Sequence, residues 1–202
     1  MLGNPTRDRR AERREATTRE ILDAAWALAR EHGLAGLNLR DLARSVGMQA
    51  PSLYSYFASK NAIYDAMFAE GARQYLERQS GTAMTGDPLT DLKAQMRMFV
   101  GFCVEDTERY QLLFQRTIPG FEPSAESFAV SVEGLEEVRR RLASIGFTEP
   151  RDLDLLTAVG TGLTDQQISN DPGGDRWLRL VDEAMEMFFE HVSRRTRGRG
   201  RP

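Results

Sequence analysis

Residues 38–60 read NLRDLARSVGMQAPSLYSYFASK, and the spacing inside this stretch decides the fold of the amino-terminal part of the chain. Leu39, Leu42, Ala43 and Val46 stand at i, i+3, i+4 and i+7, which puts four apolar groups on one face of a short helix. Asn38 is placed to cap that helix by accepting from a free amide of its first turn, and Asp41 three residues on completes a near capping box. Gly47 ends the helix, because a residue without a Cβ enters the left-handed conformation at little cost. Met48 then drops into the angle, and a second helix starts near Pro51 with Leu53, Tyr56 and Phe57 on its inner side. Small Ala43 lets the two short helices cross closely. The pattern predicts a helix-turn-helix.

Upstream, Thr17 and Glu20 have capping-box spacing, and Ile21, Leu22, Ala25, Leu28 and Ala29 form the apolar stripe of a first helix that Gly33 ends. Residues 1–16 alternate Arg with Asp and Glu and are expected to form a flexible basic arm. Its Arg7, Arg9, Arg10, Arg13 and Arg14 either reach DNA phosphates or a minor groove, or belong to a solvated tail. Downstream, Lys60 opens a connecting helix through Ile63, Tyr64, Met67 and Phe68, assigned to residues 61–80.

Residues 17–60 resemble the DNA-binding domain of the TetR family of transcriptional regulators. The resemblance rests on ILDAAWALAREHG, LNLRDLARSVGM, PSLYSYF and the closing SK, and covers about the first third of the chain. It implies a three-helix head at residues 17–60 and a helical body at residues 88–193 that dimerises and often holds a small ligand. The sequence departs from the family at Ala50 and Pro51, where many members carry a basic residue or a glycine.

The net charge of −3 is unevenly spread. Residues 1–60 hold ten basic against seven acidic groups, residues 61–192 twelve against twenty-three, and residues 193–202 five Arg and no acid. A basic first third on an acidic body presents one end of the molecule to phosphates. Residues 194–202 are read as a disordered Arg-rich tail. The 41% hydrophobic content fills a core, no apolar run is long enough for a membrane span, and no signal-peptide centre is visible, so a cytoplasmic location is expected. With Cys103, His32 and His191 the only residues of their types, no metal cluster can be assembled, and no phosphate loop or nucleophile elbow occurs. Neither a cofactor nor a catalytic function is expected.

Beyond the small-residue loop from Gly81 to Pro88 the period stays helical, and the whole chain reads as all-α with about nine helices. At the start of the second helix of the motif, Gln49, Ala50, Pro51, Ser52 and Ser55 are candidates for base edges. Tyr54, Tyr56 and Lys60 suit phosphates, a role the family resemblance also implies for them, with Arg40 joining at the preceding helix. Tyr56 has the alternative of packing on the first helix.

In the body Met96, Phe99, Cys103, Phe114, Phe128 and Val132 are candidate walls of a cavity for an apolar or aromatic effector, or else side chains of a filled core. Leu156, Val159, Gly160, Leu163 and Gln167 in one helix, and Val181, Ala184, Met185 and Phe188 in the last, are the expected dimer interface. The expected function is a homodimeric repressor that leaves a palindromic operator when a small hydrophobic effector binds. The alternatives are a ligand-independent DNA-binding protein and a helical protein-interaction module.

Overall fold

The computed structural model describes residues 9–199, in which α1 spans Arg9–Gly36 with a break at Gly33, whose φ of +74° stops the regular turn. The first eight residues of α1 were expected to belong to the flexible arm. They are helical because Arg, Glu and Ala extend a helix already nucleated by the apolar stripe, helped by pairs such as Arg19 to Glu15 at 3.2 Å. Thr17 therefore lies inside α1 and caps nothing. Residues 1–8, the rest of the expected arm, lie outside the described residues.

The next two helices, α2 (Leu39–Ser45) and α3 (Ala50–Leu53), form the helix-turn-helix. The Asn38 side chain accepts from the Arg40 amide at 2.8 Å, as the sequence predicts, whereas Asp41 turns to Arg44 rather than back to the cap. At Gly47, φ is +66°, and the Met48 amide donates back to Ala43 O at 2.8 Å, which closes the end of α2 and fixes the turn. The recognition helix α3 is short, with the chain held in turns through Tyr56.

Ser59 caps α4 (Lys60–Ser80), and Asp87 caps α5 (Pro88–Glu105). Then follow α6 (Thr107–Phe114), α7 (Ala125–Ser144), α8 (Pro150–Asn170), a single 3-10 turn at Leu178–Leu180, and α9 (Val181–Arg199). The described residues contain nine α-helices and no strand. Residues 194–199, expected to be disordered, continue α9, and residues 200–202 lie outside the described range. No helix among the described residues is long and apolar enough to cross a membrane.

Two cores organise the chain. The head core joins α1 to α4 through Ile21, Trp26, Leu42, Leu53, Ile63 and Met67, and also takes in Leu112 of α6. The body core joins α5, α8 and α9 through Val100, Leu156, Met185 and Phe188. Between them the long helix α4 runs along α7.

Candidate nucleic-acid interface and effector cavity

On the head, Leu53 is buried and anchors α3 in the head core beside α2, which leaves Gln49, Pro51, Ser52, Tyr54 and Ser55 exposed in a row. Tyr54 is 54% exposed, a large ring that no part of the described chain covers. Ala50 and Tyr56 are half-buried and pack on the head core instead, and Arg40 is exposed at the start of α2. Lys60 donates to Ala35 O at 3.1 Å and lies 5.3 Å from the centre of the Tyr64 ring. An ammonium has three donors, so this bond ties α4 to the end of α1 and leaves protons for a phosphate.

One residue of this surface was misplaced by the sequence reading. Arg14 projects from α1, donates to Ser55 O at 2.7 Å, and sets its guanidinium 4.9 Å from the centre of the Tyr56 ring. It thus fixes a charge at the end of the recognition segment. The signal was present: Arg14 is four residues before Thr18 and seven before Ile21, on the face of α1 that turns inward.

In the body a cavity of about 310 Å³ lies among α4, α5, α6, α7 and α8. Met96, Phe99, Phe114, Phe128 and Val132 all line it, and no charged side chain among the described residues does. Its hydroxyls are largely spent on their own helices, Ser131 donating to Phe128 O and Thr161 to Thr157 O. Tyr75 also lines it. Burial pushes the Tyr75 phenol above its ordinary range, so it stays neutral, and its hydroxyl makes no hydrogen bond among the described residues.

Cys103 is a correction: it is fully buried beside Phe102 and Tyr110 and is not among the residues that line this cavity. Burial also raises its thiol pKa, which makes it a packing group rather than a nucleophile. The Gln79 amide, buried at the α4–α7 contact, donates to Gly134 O at 3.2 Å and holds the wall of the cavity to the helix that leaves the head.

The short helix α6 touches both regions. At its start Asp106 accepts from the Arg109 amide at 2.9 Å, and Arg30 of α1 donates to the same carboxylate at 3.0 and 2.7 Å. At its end Leu112 enters the head core while Leu113 and Phe114 wall the cavity. One short helix thus joins a wall of the cavity, Phe114, to Arg30 of α1 through Asp106.

Residues 21–67 match the family model described as bacterial regulatory proteins, tetR family. The head is a TetR-family helix-turn-helix domain. Over 116 residues the chain is 25% identical to the HTH-type transcriptional regulator Rv1816 of Mycobacterium tuberculosis, covering 56% of this chain and 50% of that one. Over 50 residues it is 40% identical to the class D tetracycline repressor protein of Escherichia coli, covering 25% of this chain and 23% of the repressor. The chain thus spans half, or less, of the length of these curated relatives. The fold extends further than the sequence match. The TetR family transcriptional regulator PfmR from Thermus thermophilus superposes with a TM-score of 0.63 at 21% identity, covering 84% of this chain and 97% of PfmR. The multidrug binding protein EbrR, solved with imidazole, gives 0.59 at 20% identity, covering 91% and 90%.

Behind the TetR head the faces of α8 and α9 differ from those read in the sequence. Gly160 faces inward, where an added Cβ would lie 2.9 Å from Met96 Sδ and 3.1 Å from Phe99. Gln167 is buried and accepts from the Trp177 and Leu178 amides at 2.9 and 3.3 Å, stitching α8 to the turn that follows it. Leu156, Val181, Met185 and Phe188 are core residues of their own domain, and Val159, Leu163 and Ala184 are half-buried against it. The outward residues are instead Leu155, Ala158 and Gly162 on α8, with Leu180 in the turn just before α9 and Met187 on α9. Both helices carry apolar groups on two faces, and periodicity alone does not say which one points at a partner.

Proposed function

We propose that this protein is a homodimeric transcriptional regulator, a repressor that binds a palindromic operator through its two heads and leaves it when a small apolar molecule occupies the body. The observation that carries the reading is the exposed row Gln49, Pro51, Ser52, Tyr54 and Ser55 on a TetR-family head, held rigid from beneath by buried Leu53 and from the side by Arg14. Gln49 can pair with adenine, Ser52 and Ser55 with several base edges, and Pro51 can touch a thymine methyl. Tyr54, Lys60 and Arg40 suit phosphates and set the register.

The effector reading is supported by the uncharged cavity beside α6. A ligand weakens operator binding only if it favours a body whose heads are wrongly spaced, so it must in turn bind more weakly when operator is present. The dimer is supported by Met187, 66% exposed, and by Leu155 and Leu180, 38% and 39% exposed, beside the small Ala158 and Gly162, which admit a close partner helix. Two heads would meet half-sites one turn of DNA apart, about 34 to 36 Å, or a multiple of it.

The test is electrophoretic retardation of the DNA upstream of the protein's own gene, with and without apolar compounds. Sequence-specific retardation abolished by a compound that binds the body is the expected result. Retardation that no ligand alters removes the effector from the proposal, and absence of retardation at low salt overturns it.

A further inference from the structure

A second space adjoins the cavity. A cleft of about 450 Å³ opens under the loop between α6 and α7, walled by Phe68 of α4, Leu112 of α6, and Ile118 and Phe121 of the loop. It shares Leu113, Phe114 and Phe128 with the first cavity. Phe114 and Phe128 are 38% and 52% exposed, and their residues wall both spaces. Such rings change rotamer far more readily than helices move.

The two spaces differ in chemistry. The first has no charged wall among the described residues, whereas the second carries Gln115, Arg116 and Glu122. The Gln115 amide is already given to Asp165 at 2.8 Å. Among the described residues Arg116 is the only cation lining either space. It makes no hydrogen bond to them, and Glu122 Oε1 stands 3.9 Å away. Both members of that loose pair are exposed, which leaves the guanidinium donors open to a planar anion.

We propose that the two spaces form one site for an elongated amphiphile, with its apolar chain in the first cavity, passing between Phe114 and Phe128, and its anionic end at Arg116. This rests on the effector reading and adds the class of ligand. It also explains how occupancy reaches the head. Phe68 and Leu112 are part of the head core, and Ile118 and Phe121 pack against it, so a molecule filling the second space presses on that core directly.

The experiment is calorimetric titration of the intact protein with octanoate, dodecanoate and hexadecanoate and with the matching alcohols. It is repeated on Ala125→Trp, which fills the second space from an exposed small residue, on Thr157→Trp, which fills the first, and on Arg116→Ala. Circular dichroism checks that each variant is folded. In the wild type, affinity should rise about fourfold per added CH₂ from the short to the long chains. Ala125→Trp should weaken every acid, octanoate included, by crowding the carboxylate end, Thr157→Trp should abolish the rise in affinity with chain length, and Arg116→Ala should weaken the acids and spare the alcohols. Acid binding untouched by Ala125→Trp overturns the joined site while leaving the effector reading intact. Equal effects of Arg116→Ala on acids and alcohols overturn the anionic end. If no chain binds, yet a compact apolar dye binds in a way that Thr157→Trp blocks, the ligand is compact and the proposal fails. If no apolar compound binds at all, the effector reading itself fails with it.

Discussion

The head and the body use the same kind of residue in different ways. In the head nearly every large apolar side chain of α1 to α4 is buried in one core, and the exposed ring, Tyr54, sits on the surface read as facing DNA. In the body Phe114, Phe128, Val132 and Leu135 line a cavity and remain more than a third exposed, and Met187 stands uncovered on the outer face. A filled core makes a rigid reader. A body with apolar groups left over has somewhere to put a ligand and somewhere to put a second copy.

That contrast can be broken most strongly at its two extremes. Leu42 is fully buried in the head core, where α2 meets α1, so Leu42→Ala should cost about 2–5 kcal/mol. Thermal denaturation should show this loss, whereas Val132→Ala at the open cavity should shift the melting point little. On the outer face, Met187→Asp should yield monomers by sedimentation that stay helical, and losing the second head should lower operator affinity by about 10² to 10⁴-fold. If the variant sediments as a dimer, the interface is elsewhere.

Smaller effects sharpen the comparison. Gly160→Leu should overpack against Met96 and Phe99 and cost about 1–3 kcal/mol while leaving the sedimentation of the folded protein unchanged. A monomer there would restore the face read from the sequence. Arg30→Ala removes the ion-pair partner of the buried Asp106 carboxylate but leaves its bond from the Arg109 amide, at a cost of about 1 kcal/mol because Arg30 is itself half exposed. Its informative readout is coupling: effector affinity should persist while operator release weakens. Arg14→Ala should lower operator affinity only a few-fold, the size of an exposed cation–π contact of about 0.5–1 kcal/mol, and about equally on all DNA sequences.

The head was legible because its signals are local. Asn38, Ala43, Gly47 and Leu53 act on neighbours within one or two turns, and the cap, the turn and the buried face they predict are the ones observed. Arg14 was assigned to a flexible arm because a stretch without apolar residues was read as unable to pack, although a helix already nucleated downstream carries such residues along.

In the body the sequence determined the helices and their approximate ends, the apolar character of five of the six residues read as cavity walls, and the acidic charge that sets the body apart from the basic end. Only the tertiary structure decided which side of each helix faces in. Gly160, Gln167, Met185 and Phe188 went to their own core, Cys103 to a separate cluster, and Leu155, Gly162 and Met187 to the surface. The physical reason is that periodicity records that a face is apolar, whereas what covers that face depends on helices distant in sequence. The approach of α6 to α1 through Arg30 and Asp106, seventy-six residues apart, is set in the same way.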